Sequence, residues 1–497
     1  MVLPHAEGRG GVRRRPRRVL EGRADRTVSP PTLVDAAVIG TGQAGPSLAT
    51  GLASRGLSVA IFEGGALGGS CVNVGCTPTK TLRKTARVAH LARRAADFGV
   101  QVGDVRVDLP AALARMRGVV TRSRSGLESL LTGTPGVSLV RDWARLEGRA
   151  PDGRFVVRAR DAQWHAARVY LNVGTAPSLP PIPGLRDVAA LTNDSLLALN
   201  ELPAELVVIG GSYIGLELGQ LYARLGSRVT ILEAGPAVAS REDADVSARI
   251  TAMLEAEGLH IVAGVKILTV SRDADGRVAV TLRRPDGTAD ERVTGTHLLV
   301  ATGRRPCTDG LGLDTVAVAI DAQGYVPVNG ALETSVAGVF ALGDVNRRGA
   351  FTHTSYQDYE IVLANHNGTP RTADGRITTY AMYTDPPLGR IGMSETEARR
   401  ALADGRHFLQ TTIEMAAVSR AKEEGETTGV IKLLVDGDTH RFAGITMLGI
   451  GADEVVQVIA AMMAADAPYE VLRDFLPVHP TITEFFPTML GRLKPLS

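Results

Sequence analysis

Two segments of this chain follow the same plan. Each begins with an apolar stretch typical of a buried strand, turns through small residues, enters a helix-like segment and ends in a second strand. The small residues are Gly40, Gly42 and Gly45 in the first segment, and Gly210, Ser212 and Gly215 in the second. An acid follows the first glycine by 23 positions in both segments, as Glu63 and Glu233. This shared register predicts two βαβ folds.

The spacing is typical of dinucleotide binding. The first glycine permits a tight turn, the second lets the backbone approach a pyrophosphate, and the third allows close packing of helix and strand. The phosphates then lie at a helix N-terminus, where unpaired N–H groups favour anions. The terminal acids, Glu63 and Glu233, can accept hydrogen bonds from a ribose. Two such sites indicate two cofactors, with hydride or electron transfer between them.

Glu233 bears on the choice of nicotinamide cofactor. A carboxylate at this position favours a free 2′-hydroxyl and repels a 2′-phosphate. The next basic residue, Arg241, lies eight positions further on. We therefore expect NADH, with NADPH as the alternative.

The stretch "GGSCVNVGCTPTK" contains two of the three cysteines, Cys71 and Cys76. In a regular helix, Cα atoms five residues apart are separated by about 8.6 Å, beyond the roughly 7 Å limit for a disulfide. A bond between these cysteines therefore requires irregular backbone between them. Pro78 is tolerated only in the first turn of a helix, so a helix should begin near Cys76.

The function of this cysteine pair has three readings. A zinc site needs further Cys or His ligands at short spacing, and none is present, so we expect no metal. A structural disulfide closing so small a loop gives little stabilisation. A pair that opens and closes during turnover is favoured, because a helix N-terminus stabilises a thiolate.

Composition limits the class of protein. The 497 residues carry a net charge of +2, which is too small to indicate nucleic acid or a membrane as the main partner. Three cysteines exclude a secreted disulfide framework and favour a cytoplasmic protein. No apolar run approaches the roughly 18 residues of a membrane span. Residues 1–33 contain six arginines between Arg9 and Arg18, which indicates a disordered basic arm or, alternatively, a nucleic-acid tether.

Together, these motifs resemble the flavoprotein disulfide reductases, such as dihydrolipoamide dehydrogenase, glutathione reductase and mercuric reductase. The resemblance extends from about Val34 to Pro487. It rests on the doubled fold, the cysteine segment, and the motifs "GGSYIGLE", "ATGRRP", "ETSVAGVFALGD" and "HPTITE". It implies an α/β chain with two Rossmann-like domains, for FAD and NAD(P), and a C-terminal α+β dimerisation domain. The implied segments are 34–184 and 304–376 for FAD, 185–303 for NAD(P), and 377–497 for dimerisation.

The resemblance also implies residue roles. Cys76 would be the sulfur next to the flavin, and Cys71 the thiol that attacks substrate. Lys80 would lie near the flavin N5 and pair with Glu217. His479 would act as acid or base for the departing thiol, oriented by Glu484, across the interface of an obligate homodimer. Alternatively, Thr481 and Glu484 form a helix capping box.

Cofactor contacts follow from the same resemblance. The residues expected at FAD are Gly40, Gly42, Gly45, Glu63, Gly69, Ser70, Lys80, Gly174 and Asp344. Those expected at NAD(P) are Gly210, Ser212, Gly215, Glu233 and Gly303.

The final electron acceptor is less constrained. Mercuric reductases pass the metal through a C-terminal cysteine pair, and this chain ends in "PTMLGRLKPLS". We therefore expect a low-molecular-weight or protein-bound disulfide as substrate. The alternatives are reduction of mercuric ion or an oxidant and, in a different class, a redox-sensing flavoprotein tethered by its basic arm.

Overall fold

A computed structural model describes residues 30–287 and 289–497 of the chain. The basic stretch between Arg9 and Arg18 lies outside the described residues. The two roles predicted for it therefore stay predictions. The first strand begins at Thr32, two residues inside the segment assigned to the arm and four before the apolar run that starts at Ala36.

The first βαβ fold forms the centre of a large sheet. Its parallel strands are ordered β3-β2-β1-β6, and β5 and β4 extend the edge next to β6 in antiparallel pairing. These strands are β1 (Thr32–Ile39), β2 (Val59–Phe62), β3 (Val137–Val140), β4 (Ala144–Arg149), β5 (Phe155–Ala159) and β6 (Ala162–Leu171), and the short strand β7 (Thr175–Pro177) follows outside this sheet. The helices are α1 (Gly45–Ala53), α2 (Gly69–Asn73), α3 (Cys76–Arg93) and α4 (Leu109–Gly133).

The second βαβ fold has its own parallel sheet, with the order β10-β9-β8-β14. Strands β11, β12 and β13 form an antiparallel meander. The strands are β8 (Glu205–Ile209), β9 (Arg228–Leu232), β10 (His260–Val262), β11 (Lys266–Arg272), β12 (Val278–Arg283), β13 (Asp290–Gly295) and β14 (His297–Val300). The helices are α5 (Asn193–Leu197), α6 (Tyr213–Leu225) and α7 (Ala244–Ala256).

After β14 the chain returns to the first sheet. Strand β15 (Arg304–Pro306) pairs with β7, and β16 (Val339–Ala341) joins the large sheet beside β6. Helix α8 (Thr352–His366) follows and packs against α1. This return brings "ATGRRP" and "FALGD" to the carboxyl edge of the first sheet, where α/β folds bind their ligands.

The C-terminal segment forms a separate antiparallel sheet with the order β17-β18-β21-β20-β19-β22. Its strands are β17 (Thr379–Met382), β18 (Leu388–Gly392), β19 (Phe408–Glu414), β20 (Val430–Asp436), β21 (Phe442–Leu448) and β22 (Lys494–Pro495). Its helices are α9 (Glu395–Leu402), α10 (Ser419–Glu423), α11 (Ala452–Ala464), α12 (Tyr469–Arg473) and α13 (Phe485–Leu490).

Burial explains why these strands form where they do. Every residue of β2 is buried, and the apolar run Ala36–Ile39 of β1 is at most 4% exposed. A strand buried on both faces has a continuous apolar run in its sequence, as these strands do. Short 3₁₀ segments connect the elements at Ala95–Phe98, Leu185–Asp187, Leu313–Val316, Gly343–Asn346 and Met415–Ala417. Among the described helices, none combines the length and apolarity needed to cross a bilayer.

Candidate functional site

The first glycine turn leaves no room for larger side chains. Gly40 has a φ of +104°, and a Cβ built on it would lie 2.3 Å from the backbone oxygen of Asn172. A Cβ on Gly45 would lie 2.2 Å from the oxygen of Gly40. These contacts pack the turn against the residue that follows β6 and against the start of α1, as a pyrophosphate cradle requires. The structure therefore supplies the physical reason for glycine at both positions.

The acid at the end of β2 organises the neighbouring loops. The Glu63 carboxylate accepts hydrogen bonds from the backbone N–H and hydroxyl of Thr41, at 3.1 and 2.6 Å. It also accepts one from the backbone N–H of Gly65, at 2.9 Å. Glu63 thus faces the glycine turn, where it can also accept a bond from a ribose hydroxyl.

Asp344 is brought to this turn by the returning chain. It lies after β16, and its carboxylate accepts a hydrogen bond from the Thr175 hydroxyl at 3.0 Å. Arg304, from "ATGRRP", donates to the same hydroxyl at 2.8 Å. Burial raises the pKa of Asp344. A half-buried carboxylate with one side-chain donor has acceptor capacity left for hydroxyls of a bound ligand.

A cavity of about 1820 Å³ connects these residues with the cysteines. It exceeds the roughly 300–1,000 Å³ of sites for drug-sized ligands, as a flavin dinucleotide with a nicotinamide beside it requires. Its wall includes Gly40, Gly42, Glu63, Gly69, Ser70, Cys71, Cys76, Lys80, Gly174, Glu217 and Asp344. The glycine cradle and the half-buried Asp344 at one cavity make the chain's own residues a good fit for FAD.

Gly69, Ser70 and Gly174 border this cavity in different ways. A Cβ on Gly69 would lie 2.8 Å from the Cα of Gly42, so the two loops touch. The Ser70 hydroxyl accepts a long bond from Arg304, at 3.4 Å. Gly174 has a φ of +62° and open space around its Cα. Glycine is therefore needed there for its backbone conformation and not for packing.

The two cysteines lie on consecutive helices. Cys71 belongs to α2 and Cys76 is the first residue of α3, with the break at Val74 and Gly75 between them. The predicted helix start at Cys76 is confirmed, and so is the irregular backbone before it. A Cβ on Gly75 would lie 2.9 Å from the oxygen of Ser70, which explains the glycine.

The thiols differ in acidity. The hydrogen bond from Cys71 lowers the pKa of Cys76 to about 6, and the Thr352 hydroxyl, 3.4 Å away, and Lys80 act in the same direction against burial. The same hydrogen bond, together with burial, raises the pKa of Cys71. At neutral pH the reduced pair is therefore a Cys76 thiolate beside a protonated Cys71.

Lys80 and Glu217 form an ion pair between α3 and α6, with Nζ 2.7 Å from Oε2. Glu217 is buried and also accepts a hydrogen bond from the backbone N–H of Tyr383, at 2.7 Å. Lys80 Nζ lies 4.5 Å from the centroid of the Tyr383 ring. The pair thus places one cation in the cavity wall, one turn along α3 from the Cys76 thiolate.

The second glycine turn repeats the first. A Cβ on Gly210 would lie 2.6 Å from the oxygen of Ala301, and one on Gly215 would lie 2.0 Å from the oxygen of Gly210. Ser212 is exposed and has an extended backbone that any residue adopts, which explains why serine replaces glycine there. The backbone N–H groups of Gly211 and Gly235 each donate to the Glu233 carboxylate at 2.6 Å.

The second fold also reaches the cavity. Tyr213 and Ile214, the first residues of α6, line it. Gly303 has a φ of +146° and open space around its Cα. Of the predicted residues, those outside the cavity wall are Gly45, Gly210, Ser212, Gly215, Glu233, Gly303, His479 and Glu484.

His479 and Glu484 form a separate pair near the C-terminus. Nδ1 of His479 lies 2.7 Å from Oε2 of Glu484, and the imidazole is exposed while the carboxylate is mostly buried. The capping-box alternative is wrong, because α13 begins at Phe485 and Glu484 itself occupies the N-cap position. The backbone N–H of Glu484 does donate to the Thr481 hydroxyl, at 3.3 Å.

Sequence reasoning missed several contacts of the site. Thr352 bonds Cys76 from 276 positions away, and Asn193 donates to the backbone oxygen of Val74 in the break between the cysteine helices. Asn172 donates to the oxygen of Gly40. Single polar residues at the ends of helices and strands carry no local pattern, so only an alignment or the fold could have indicated them. Among the described residues, no three His, Cys, Asp or Glu side chains are arranged to hold a metal ion.

Comparison with known proteins adds an independent line of support. Residues 34–358 match the family described as pyridine nucleotide-disulphide oxidoreductase, and residues 378–490 match its dimerisation domain. The probable pyridine nucleotide-disulfide oxidoreductase RclA of Escherichia coli strain K12 is 32% identical over 92% of this chain and 99% of that protein. A mercuric reductase of Streptomyces lividans is 34% identical over 90% of this chain and 93% of that protein.

A dihydrolipoyl dehydrogenase of Thermus scotoductus is 33% identical over 90% of this chain and 95% of that protein. Among solved structures, the HOCl-induced flavoprotein disulfide reductase RclA from Escherichia coli superposes with a TM-score of 0.81 at 31% identity. It covers 92% of this chain and 99% of that one. The predicted fold class, with two dinucleotide-binding domains and a C-terminal dimerisation domain, is confirmed.

Proposed function

The chain belongs to the pyridine nucleotide-disulphide oxidoreductase family, and from this premise we propose how its residues divide the reaction. FAD binds in the first fold and NADH in the second, and the Cys71–Cys76 pair passes electrons to a disulfide substrate. The observation that carries this proposal is the thiol pair itself, since Cys71 and Cys76 share one cavity with the first glycine turn and the Lys80–Glu217 ion pair.

Bound FAD would supply two-electron transfer between the nicotinamide and the cysteine pair. The residues proposed to hold it are Gly40, Gly42, Gly45, Glu63, Gly69, Ser70, Gly174 and Asp344, with Lys80 at the flavin. Lys80 is a cation whose position is maintained by Glu217, and it favours negative charge developing beside it. Its distance to the Glu217 carboxylate, 2.7 Å, supports this role.

The cysteines then act in sequence. Cys71 loses its proton and attacks one sulfur of the substrate disulfide, and the other sulfur leaves as the first thiol. The Cys76 thiolate attacks the sulfur of Cys71, which releases the second thiol and closes the Cys71–Cys76 disulfide. Two electrons have moved from the dithiol to the substrate, and two protons complete the two product thiols. The lowered pKa of Cys76 supports its attack as a thiolate in the second step. The raised pKa of Cys71 means that a base must take its proton before the first step.

His479 is the proposed acid and base for these proton transfers, and Glu484 orients its ring. Neither residue lines the cavity of its own chain, although His479 is exposed and bonded to Glu484. We therefore propose that the pair reaches the cysteines of the partner subunit in a homodimer. The matching dimerisation domain, over residues 378–490, supports a dimer.

Glu233 supports NADH as the reductant. Its carboxylate stands at the end of β9 beside the second glycine turn, where an adenosine ribose would lie. A 2′-phosphate there would face a negative charge. The small number of cysteines, three in 497 residues, supports work in a reducing cytoplasm.

The test is anaerobic reduction of the purified enzyme by NADH, followed by alkylation and mass spectrometry. We expect Cys71 and Cys76 to be protected before NADH and alkylated after it, with Cys307 unchanged by NADH. Multiple-turnover assays with disulfides and with mercuric ion then separate the proposed substrate class from the alternative. If NADH reduces the flavin but leaves both cysteines protected, the proposed relay is wrong.

A further inference from the structure

Trp143 occupies the turn between β3 and β4, at the carboxyl edge of the first sheet. The ends of β2 and β3 are adjacent there, because the backbone N–H of Glu63 donates to the oxygen of Val140 at 2.9 Å. Trp143 therefore lies beside the residues that directly follow β2. In a dinucleotide-binding fold, the acid at the end of this strand binds the adenosine ribose.

The indole ring lies against Gly64, the residue after this acid. A Cβ on Gly64 would lie 2.2 Å from the ring, so only glycine leaves space for it. Trp143 is nevertheless 76% exposed, and it forms part of the cavity wall together with Glu63 and Gly64. A large aromatic side chain that lines a cavity but has most of its surface uncovered has the capacity to bind a further flat group.

Trp164 provides a contrast within the same domain. It is partly buried, and its ring packs edge-on against Phe62 with centroids 5.1 Å apart. The Trp164 ring therefore packs against the protein core. Trp143 has no ring partner of this kind among the described residues.

We propose that Trp143 is the stacking surface for the adenine ring of the dinucleotide bound in the first fold. The inference rests on the proposed function, in which this dinucleotide is FAD. The ribose at Glu63 brings the adenine to the residues that follow β2, and the indole lies there. Aromatic stacking on a base is independent of hydrogen-bond pattern and contributes substantially to binding. The ring would thus help retain the cofactor through its adenine half.

The test measures flavin release from the purified holoenzyme by the rise in flavin fluorescence after dilution. We expect Trp143→Ala and Trp143→Leu to release FAD about tenfold faster than the wild type, as loss of base stacking implies. Trp143→Phe keeps an aromatic face and should release FAD at close to the wild-type rate. Trp164→Phe is the matched control and should also match the wild type.

Two results would overturn the inference. The first is that wild type and Trp143→Ala release FAD at the same rate. The second is that Trp143→Leu retains FAD as well as Trp143→Phe does, which would show that any apolar side chain at this position is sufficient. The thermal unfolding midpoint of each variant, read by circular dichroism, identifies any variant that has lost its fold. Failure of the proposed function itself looks different, because wild-type protein would then not retain FAD.

Discussion

Cys71 and Cys76 are chemically identical residues that the structure makes unequal. The hydrogen bond between the thiols places the proton on Cys71 and the negative charge on Cys76, with Thr352 and Lys80 adding to the effect. Because a thiolate is the reactive form of cysteine, the pH dependence of alkylation reports this difference directly.

We predict that Cys76 of the reduced enzyme is alkylated at a constant rate above about pH 7 and more slowly below pH 6, where the thiolate is protonated. In Cys71→Ala the main stabilising hydrogen bond is lost, so the midpoint should rise toward the ordinary value of 9.0. Cys71→Ser retains a donor and should show a smaller rise. An unchanged midpoint in Cys71→Ala would show that another group stabilises the thiolate.

The His479–Glu484 pair gives a second prediction at this scale. His479→Ala should lower disulfide turnover by about 10²–10⁴-fold, the usual contribution of an acid–base residue, and Glu484→Ala should lower it less. Reduction of the flavin by NADH should be unaffected in both variants, since the pair is proposed to act on the thiols and the substrate, after the flavin is reduced. Stopped-flow absorbance separates the two half-reactions, and slower flavin reduction in His479→Ala would contradict the assignment.

At the scale of elements, a buried charge cluster joins α3 and α6 to the turn between β17 and β18. Asp385 is 3% exposed and binds Arg87 from α3 and Arg224 from α6. Gln220 of α6 closes two further bonds with the backbone of Asp385, at 2.7 and 2.8 Å. Helices α3 and α6 are thus both bonded to the loop between β17 and β18.

Asp385→Asn should destabilise the protein by about 1–3 kcal/mol at neutral pH. Arg87 and Arg224 each lose one carboxylate partner, although Glu426 and Glu257 remain beside them. Although burial opposes ionisation, bonds from Arg87 and Arg224 lower the pKa of Asp385 to about 2. Its stabilising contribution is therefore complete above about pH 4 and is lost as the pH falls toward 2. The difference in urea midpoint between wild type and Asp385→Asn should shrink over this range.

The control for this prediction is Asp474→Asn, which removes a carboxylate from an exposed pair with Arg473. Surface ion pairs contribute little, so its urea midpoint should match the wild type at every pH. If Asp385→Asn also matched the wild type at neutral pH, the cluster would not hold the helices together.

At the scale of the whole molecule, the proposed site needs two subunits. The cysteines line the cavity of one chain, and the exposed His479 lies on the C-terminal domain, outside that cavity. Hybrid dimers test this arrangement, because each inactive subunit can complement the other only if the site is shared.

We predict that mixing Cys71→Ala protein with His479→Ala protein, under conditions that exchange subunits, restores disulfide reductase activity. A hybrid dimer then contains one site with intact Cys71 from one subunit and intact His479 from the other. Cys71→Ala mixed with Cys76→Ser is the control and should stay inactive, since every site lacks one cysteine. If the first mixture also stays inactive while exchange is verified by mass spectrometry, the site lies within one chain.

Part of this protein's fold could be predicted from its sequence, because steric constraints restrict the residue types at certain positions. Gly40 and Gly210 are required by positive φ and close backbone contacts, and Pro78 restricts where α3 can begin. The apolar runs of β1 and β8 follow from burial on both faces. Each of these constraints restricts which residue types fit at a position, so the pattern of residue types records it.

Contacts between distant segments were decided by tertiary packing. The Lys80–Glu217 pair spans 137 positions and was expected only by resemblance, while the bond from Thr352 to Cys76 and the Asp385 cluster were not expected at all. Glu484 fits a capping box by spacing, yet its carboxylate binds His479, because the helix begins one residue after it. The sequence by itself determined two dinucleotide folds and a cysteine pair at a helix start. The fold decided which thiol is acidic, because that depends on charges and donors that only packing brings together.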